Sequence, residues 1–259
     1  MTYTAIRIED ASHVRRIVLN RPERRNAMTP EMQQELISAL EDAAPSGARV
    51  VVLTGAGDAF CSGLDLTVLQ SMHDKTAADH REDAERIARL FSTLYELPLP
   101  TIAAVHGPAI AGGTGLAMVC DFTLATPGSK FGFTEARIGF VPALVSAFLA
   151  LQIGDKRSRD LLLSARLFTA EEALQFGLVN QIVAPEALNA RVNELVSTLV
   201  ANSPQSLRAT KRLLAAQNKA WLDAAIQLAL EANAAARETE DFREGIAAFL
   251  QKRKPNWAE

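Results

Sequence analysis

The chain has 259 residues, of which 48% are hydrophobic and 22% are charged, and its formal net charge is −3. This length is enough for one large domain with a substantial core, and the composition is that of an ordinary globular protein. The slightly acidic balance, without a basic block, gives no indication of nucleic-acid binding. No apolar run reaches the length of a membrane span.

The cysteines and histidines carry no metal-site or disulfide pattern. Two cysteines are too few for a disulfide framework, and four scattered histidines lack the spacing of metal ligands. The N-terminal segment lacks the apolar core of a signal peptide. We therefore expect a cytoplasmic protein without a metal site.

The first part of the chain alternates strands with amphipathic segments. Residues 1–10, 16–19 and 50–54 are predicted strands, and the last of these is uniformly apolar, as a strand buried on both faces should be. Thr29 and Pro30 are the residue types preferred at an N-cap and at the first helical position. The apolar spacing after them predicts a helix.

A charged stretch from Met72 to Asp83 precedes a predicted helix that ends at Pro98. A strand at residues 101–105, a glycine-rich turn, a short apolar helix and a strand at residues 122–125 follow. This succession predicts an α/β architecture. Because strands recur at intervals of about 20 to 50 residues, the pattern favours a stacked spiral of ββα turns.

The second half is mostly helical. The sequence from Thr169 to Glu172 has the spacing of a capping box, and the alanine-rich segment 221–238 predicts a long helix. No low-complexity linker separates the halves. We therefore predict a catalytic core over residues 1–195 and a helical C-terminal region over residues 196–259, packed on the core or on a neighbouring subunit.

Two glycine-rich turns each follow an apolar strand and lead into a helix. They run through residues 55–65 and 107–115. Each turn can aim a free backbone N–H at one point, and two N–H groups that converge on one oxygen make an oxyanion hole. The pattern favours chemistry on a carbonyl compound that passes through an enolate.

The chain resembles the crotonase (enoyl-CoA hydratase/isomerase) superfamily through motifs that occur in order along nearly its whole length. The matching segments are residues 20–22, 26–28, 60–65, 106–113, 120–121, 131–135, 168–173, 177–179 and 249–253. Each motif alone is weakly specific, whereas the ordered set is highly specific. The resemblance implies a crotonase-like spiral with a helical C-terminal region, an acyl-CoA substrate, no separate cofactor, and a homotrimer or a dimer of trimers.

The resemblance also implies a role for each matching residue. The backbone N–H groups of Leu64 and Gly112 would hold a thioester carbonyl oxygen, and Glu135 would transfer protons. Burial among small and apolar residues would raise the pKa of that carboxyl group and suit it to the task. The residues expected to contact coenzyme A are Arg25, Ala27, Ser62, Asp65, Leu66 and Lys252.

The sequence departs from two-carboxylate hydratases at Gly115, where those relatives carry a second glutamate. Residues 142–147 also replace a Gly-Gly run found in many members, which predicts a reshaped acyl pocket. Three interpretations stay open: a 2-enoyl-CoA hydratase with Glu135 as its single catalytic carboxylate, a Δ3-Δ2-enoyl-CoA isomerase, and a non-catalytic acyl-CoA-binding homologue. Similarity to hydratases of branched enoyl-CoA compounds around Gly115 and around residues 135–139 favours the first. Asp121 is expected to be structural.

Overall fold

The computed structural model describes residues 3–72 and 75–257. Within these ranges, its strands are β1 (Ile6–Ala11), β2 (Val14–Leu19), β3 (Val50–Gly55), β4 (Thr101–Val105), β5 (Ala109–Ile110), β6 (Phe122–Ala125), β7 (Lys130–Gly132), β8 (Leu167–Thr169) and β9 (Gln181–Ile182). They form a six-stranded sheet in the order β1-β2-β3-β4-β6-β9 and a three-stranded sheet in the order β5-β7-β8. Strands β2, β3, β4, β6 and β9 pair in parallel.

Helices cover both the connections between strands and the C-terminal region. They are α1 (Pro30–Glu41), α2 (Leu66–Ser71), α3 (Ala77–Glu96), α4 (Gly112–Val119), α5 (Ala143–Ser164, interrupted at Gly154), α6 (Ala170–Phe176), α7 (Leu188–Ala201), α8 (Pro204–Ala236) and α9 (Glu240–Leu250). None of the described helices is long and apolar enough to cross a membrane.

The chain moves between the two sheets once in each turn of a spiral. It passes from β4 in the large sheet to β5 in the small one and then into α4, and it repeats the movement through β6, β7 and α5. In the preceding turn, Cys61 forms a parallel bridge with Ala109 and so extends the small sheet, while Leu64 bridges to Met28. Equivalent segments of successive turns therefore lie side by side.

The predicted helix starts are confirmed at two N-caps. The Thr29 hydroxyl accepts a hydrogen bond from Met32 N at 3.2 Å, and Thr169 and Glu172 form both bonds of the capping box. Such caps satisfy backbone N–H groups that have no partner inside the helix.

The start of α3 differs from the sequence prediction, which placed the helix after the charged stretch from Met72 to Asp83. The helix begins at Ala77, inside that stretch, because Thr76 and Asp79 form a further capping box. Residues 73 and 74 of the stretch lie outside the described residues.

The C-terminal helices pack on the core and on the turn that follows β7. Helix α8 is continuous over 33 residues, so the predicted alanine-rich helix is its second half. It packs against α3 and α5, while α9 packs against α2 and against a 3-10 turn at Glu135–Ile138. These contacts bring the C-terminal region next to the turn that carries the predicted catalytic carboxylate.

Candidate active site

A largely apolar cavity of about 280 Å³ brings together residues that are far apart in the sequence. The two glycine-rich turns contribute Leu64 and Gly112, and the turn after β7 contributes Glu135. Helices α3 and α5 supply apolar wall residues, among them Phe91 and Val145. The structure therefore places all three predicted catalytic residues in the lining of one cavity.

The backbone N–H of Leu64 is free because of how its neighbours pair. Met28 N donates to Gly63 O at 2.7 Å, and Asp65 N donates to Met28 O at 2.9 Å. Both bonds lie on the side of the chain that faces Met28. Leu64 N has no acceptor among the described residues.

The N–H of Gly112 is set by an unusual conformation of the residue before it. Ala111 has φ 52° and ψ −122°, a region that L-residues rarely adopt and that costs about 1–3 kcal/mol. A 2.6 Å hydrogen bond from Ala111 N to Gly132 O holds it there. Gly112 opens helix α4, where the first N–H groups lack intrahelical partners, and its nitrogen would lie 3.6 Å from a Cβ placed on Gly63.

Close contacts lock the two turns together behind these amides. A Cβ on Gly113 would overlap the carbonyl group of Cys61, so only glycine allows this approach. The Thr114 hydroxyl lies 2.6 Å from Ala109 O, to which it donates, and it accepts from Gly132 N at 3.1 Å. The relative position of the Leu64 and Gly112 segments is thereby fixed by backbone packing.

Glu135 is a buried carboxyl group with few partners. Burial raises its pKa to about 7, from an ordinary value of 4.5. Its Oε2 atom is inaccessible and has no hydrogen-bond partner among the described residues. The backbone carbonyl of Glu135 accepts a hydrogen bond from Phe140 N at 3.0 Å, which closes the turn. The side chain of the neighbouring Arg137 is exposed. The carboxyl group is thus poised to gain or lose a proton near neutral pH.

The position of the missing second carboxylate is occupied by hydrocarbon. A Cβ on Gly115 would lie 2.8 Å from Val145 Cγ1 and 2.9 Å from Phe91 Cζ. Both neighbours are buried and line the cavity. Any side chain at this position would therefore have to displace Val145 or Phe91.

Three of the residues predicted to bind coenzyme A line the same cavity. Arg25, Ser62 and Leu66 lie in its wall. Arg25 adopts a left-handed conformation with φ 51°, and its carbonyl accepts from Ser62 N at 3.0 Å. This bond holds the Arg25 loop against the first glycine-rich turn.

The other three predicted residues do not line the cavity. The Ala27 carbonyl accepts from Arg21 Nη1 at 2.5 Å. Burial opposes ionisation of Asp65, but hydrogen bonds from Thr67 and the ion pair with Arg21 hold its pKa below the usual range. Lys252 is exposed, and its backbone N–H donates a hydrogen bond to the backbone carbonyl of the cavity residue Phe249.

Asp121 lies outside the cavity lining and has a structural role. Its Oδ2 atom accepts hydrogen bonds from Thr101 N and from Lys211 Nζ, both at 2.7 Å. These bonds tie the start of β4 to the end of α4 and to α8.

Asn233 is a polar cavity residue that sequence reasoning missed. It lies on α8, is 4% exposed, and accepts a 3.2 Å hydrogen bond from Arg237 Nε. Arg237 in turn donates to the buried Asp83 at 2.6 Å and lies over the ring of Phe140. A signal was available in the sequence, since Asn233 interrupts an apolar helical stripe and stands four residues before an arginine.

The groups that line the cavity could polarise a carbonyl group and move a proton beside it. Two backbone amides without acceptors among the described residues can donate to one oxyanion, and a buried carboxyl group with a raised pKa can accept a proton. Such a combination is typical of enzymes that stabilise an enolate.

Comparison with known proteins identifies the family. The model of the enoyl-CoA hydratase/isomerase family matches residues 9–259. A Thermus thermophilus protein, named provisionally as an enoyl-CoA hydratase, is 45% identical over 249 residues, which cover 96% of this chain and 98% of that protein. The crotonyl-CoA hydratase of Syntrophomonas wolfei is 30% identical, with 99% of both chains covered.

A solved structure from Xanthobacter autotrophicus Py2, described as an enoyl-CoA hydratase/isomerase, superposes with a TM-score of 0.89 at 32% identity and covers both chains completely. The chain therefore belongs to the enoyl-CoA hydratase/isomerase family, whose members are enzymes. The predicted crotonase-like spiral with a helical C-terminal region is confirmed.

Proposed function

We propose that the protein is an enoyl-CoA hydratase that adds water to a 2-enoyl-CoA with Glu135 as its single catalytic carboxylate. The observation that carries this proposal is the meeting of the free Leu64 and Gly112 amides with Glu135 in one cavity. The names of the relatives from Thermus thermophilus and Syntrophomonas wolfei agree with it.

In this mechanism the thioester oxygen accepts hydrogen bonds from Leu64 N and Gly112 N. The Glu135 carboxylate takes a proton from water while the water oxygen bonds to C3, and the electron pair of the C2=C3 bond moves onto the thioester oxygen. Each amide stabilises the resulting enolate by about 3 kcal/mol. The protonated Glu135 then gives its proton to C2, and the carbonyl group is restored.

The second candidate is a Δ3-Δ2-enoyl-CoA isomerase. The same Glu135 carboxylate would take a proton from C2 of a 3-enoyl-CoA and return it to C4 through the same enolate. The hydrocarbon wall at Gly115 favours this alternative, because isomerisation needs no carboxylate to hold water.

A non-catalytic acyl-CoA-binding protein was the third interpretation. The retained carboxyl group of Glu135, with a pKa of about 7, argues against it, as does membership of an enzyme family. Binding of a CoA thioester without turnover of any enoyl-CoA would be its signature.

The purified protein should be incubated with crotonyl-CoA and, separately, with 3-hexenoyl-CoA while the absorbance of the conjugated thioester is followed. A hydratase removes this absorbance from the first substrate, whereas an isomerase creates it from the second. Glu135→Gln should abolish turnover. Glu85→Gln makes the same chemical change on the exposed face of α3 and should retain it.

We place coenzyme A at the cavity mouth, with Arg25, Ser62 and Leu66 against its pantetheine and adenine parts. Lys252 would meet the phosphates, since it is exposed next to the cavity residue Phe249. Lys252→Ala should raise KM for the CoA thioester with little change in kcat. An equal KM for the variant and the wild type would show that Lys252 does not contact coenzyme A.

We also propose a trimer or a dimer of trimers built through the C-terminal helices. Leu214, Trp221 and Leu228 recur every seven residues along α8, and each is about half exposed or more. A stripe of this kind is typical of a face buried between subunits. Light scattering coupled to gel filtration would measure the mass, and a monomer at micromolar concentration would contradict this proposal.

A further inference from the structure

One wall of the apolar cavity presents a buried polar group that the proposed reaction does not use. Asn233 lines the cavity on α8, and the other buried residues in the last two turns of that helix are apolar: Ala229, Leu230 and Ala236. Its buried polar neighbour is Arg237, which follows the helix. A buried amide in such surroundings is unfavourable unless its hydrogen bonds are made.

The orientation of the Asn233 amide is fixed by its neighbour. Arg237 Nε can only donate, so the atom that faces it at 3.2 Å must be the carbonyl oxygen Oδ1. The NH₂ group then points away from Arg237. It has no hydrogen-bond acceptor in the described part of the chain, and it is not fully enclosed by protein atoms. The cavity therefore receives an N–H donor.

Hydrogen-bond donors exceed acceptors in the cluster of Asp83, Arg86, Arg237 and Asn233. Asp83 uses both of its carboxylate oxygens, one for Arg86 and one for Arg237. Arg237 Nη1 is buried and has no acceptor among the described residues. Both oxygens of the Asp83 carboxylate are thus engaged by guanidinium groups, and neither is bonded to the Asn233 amide.

Resting on the proposed function, we infer that the enzyme acts on acyl-CoA substrates whose acyl chain carries an acceptor oxygen beyond the thioester, and that Asn233 binds this oxygen. The oxygen belongs to a hydroxyl, carbonyl or carboxylate group. An unsubstituted chain leaves the Asn233 N–H groups unpaired when it displaces water from the cavity. A site of this kind discriminates against a substrate that lacks the hydrogen-bonding group.

The first test compares kcat/KM for 2-hexenoyl-CoA with values for its derivatives that carry a hydroxyl group at C4, C5 or C6, a ketone at C5, or a carboxylate in place of the terminal methyl group. The wild type should prefer at least one oxygenated member by roughly tenfold. The derivative with the highest kcat/KM identifies whether the oxygen belongs to a hydroxyl, ketone or carboxylate group. Equal values across the series would overturn the inference.

The decisive variant is Asn233→Asp, which keeps an oxygen for Arg237 and replaces the cavity donor with an acceptor. It should lower the ratio of kcat/KM between the preferred oxygenated substrate and 2-hexenoyl-CoA by roughly tenfold or more. Asn233→Leu, which also removes the donor, should lower the same ratio. If either folded variant changed both substrates by one common factor, Asn233 would serve the reacting water or the fold, and the inference would be wrong.

Binding of saturated analogues separates this inference from the proposed reaction. Calorimetry with hexanoyl-CoA and with the saturated form of each oxygenated derivative requires no turnover, so it tests Asn233 even if hydration is never observed. Ile87→Val is the matched control, because it changes the same cavity without touching a donor. It should shift the affinities for both analogues by one factor, whereas Asn233→Asp should weaken only the oxygenated one.

Discussion

Gly115 and Phe91 meet in the wall of the cavity, where a Cβ on Gly115 would lie 2.9 Å from Phe91 Cζ. Val145 closes the same space from α5, with Cγ1 at 2.8 Å from that Cβ. The aromatic ring is itself held edge-on by Phe148 at 6.0 Å between ring centroids. Residues of three helices, α3, α4 and α5, therefore pack together where a second carboxylate would lie. Replacing Gly115 by glutamate would require changes in the neighbouring helices as well.

This contact makes Gly115→Ala destabilising despite the better helix propensity of alanine. The added methyl group must displace Phe91 or Val145, and overpacking of this kind costs about 1–3 kcal/mol. In a Phe91→Ala background the same substitution should cost at least about 0.5 kcal/mol less, because the residues are in contact. Denaturant unfolding of the four proteins in the cycle measures the difference, and strict additivity would show that Phe91 does not limit the space.

The raised pKa of Glu135 predicts how activity depends on pH. Both hydration and isomerisation start from the carboxylate, so kcat/KM should rise with pH and reach half of its maximum near pH 7. Glu135→Asp keeps a carboxyl group but withdraws it from the apolar wall. The pH profile of kcat/KM for this variant should be displaced along the pH axis, and its maximum kcat/KM should be lower than that of the wild type. A wild-type profile that is flat between pH 5 and pH 9 would mean that another group limits the reaction.

The order of elements could be predicted from the sequence because it rests on local signals. The apolar run of β3 and the residues around Thr29 act within a few positions of each other, and the structure reproduces both. The short strand β5 has two residues and exists because β7 and Cys61 lie on either side of it. No local pattern of that length can specify such a strand.

The site was predictable in part for the same reason. The sequence identified Leu64, Gly112 and Glu135 through motifs, and the structure brings all three to one cavity. It did not predict that Phe91 fills the space at Gly115 or that Asn233 lies in the lining of the same cavity. These contacts join segments that are distant along the chain, so they depend on how α3 and α8 pack.

The backbone strain at Ala111 gives a prediction about the oxyanion hole. Ala111→Gly should leave kcat within about threefold and preserve or raise stability, since glycine adopts φ 52° without the steric cost. Ala111→Val should lower kcat by at least about tenfold, because a β-branched residue resists this conformation and would turn the Gly112 N–H away. Steady-state kinetics of the pair check the prediction. Equal kcat values for the two variants would show that the orientation of the Gly112 N–H does not depend on the backbone conformation of residue 111.

The buried carboxyl group also predicts how stability depends on pH. Between pH 4.5 and about pH 7 the folded protein keeps a proton on Glu135 that the unfolded chain has released, so the free energy of unfolding falls as pH rises. The stabilisation is complete below pH 4.5 and is lost above about pH 7. Since each tenfold difference in proton affinity corresponds to about 1.4 kcal/mol, the change amounts to about 3 kcal/mol.

Glu135→Gln removes this proton linkage and leaves the other titrating groups in place. The variant should therefore gain stability relative to the wild type as pH rises from 5 to 8, with most of the gain below pH 7. Urea unfolding of both proteins at a series of pH values measures the difference and cancels contributions from all other carboxyl groups. If the two stability curves ran parallel, Glu135 would be ionised in the folded protein throughout, and the cavity would be wetter than its apolar lining indicates.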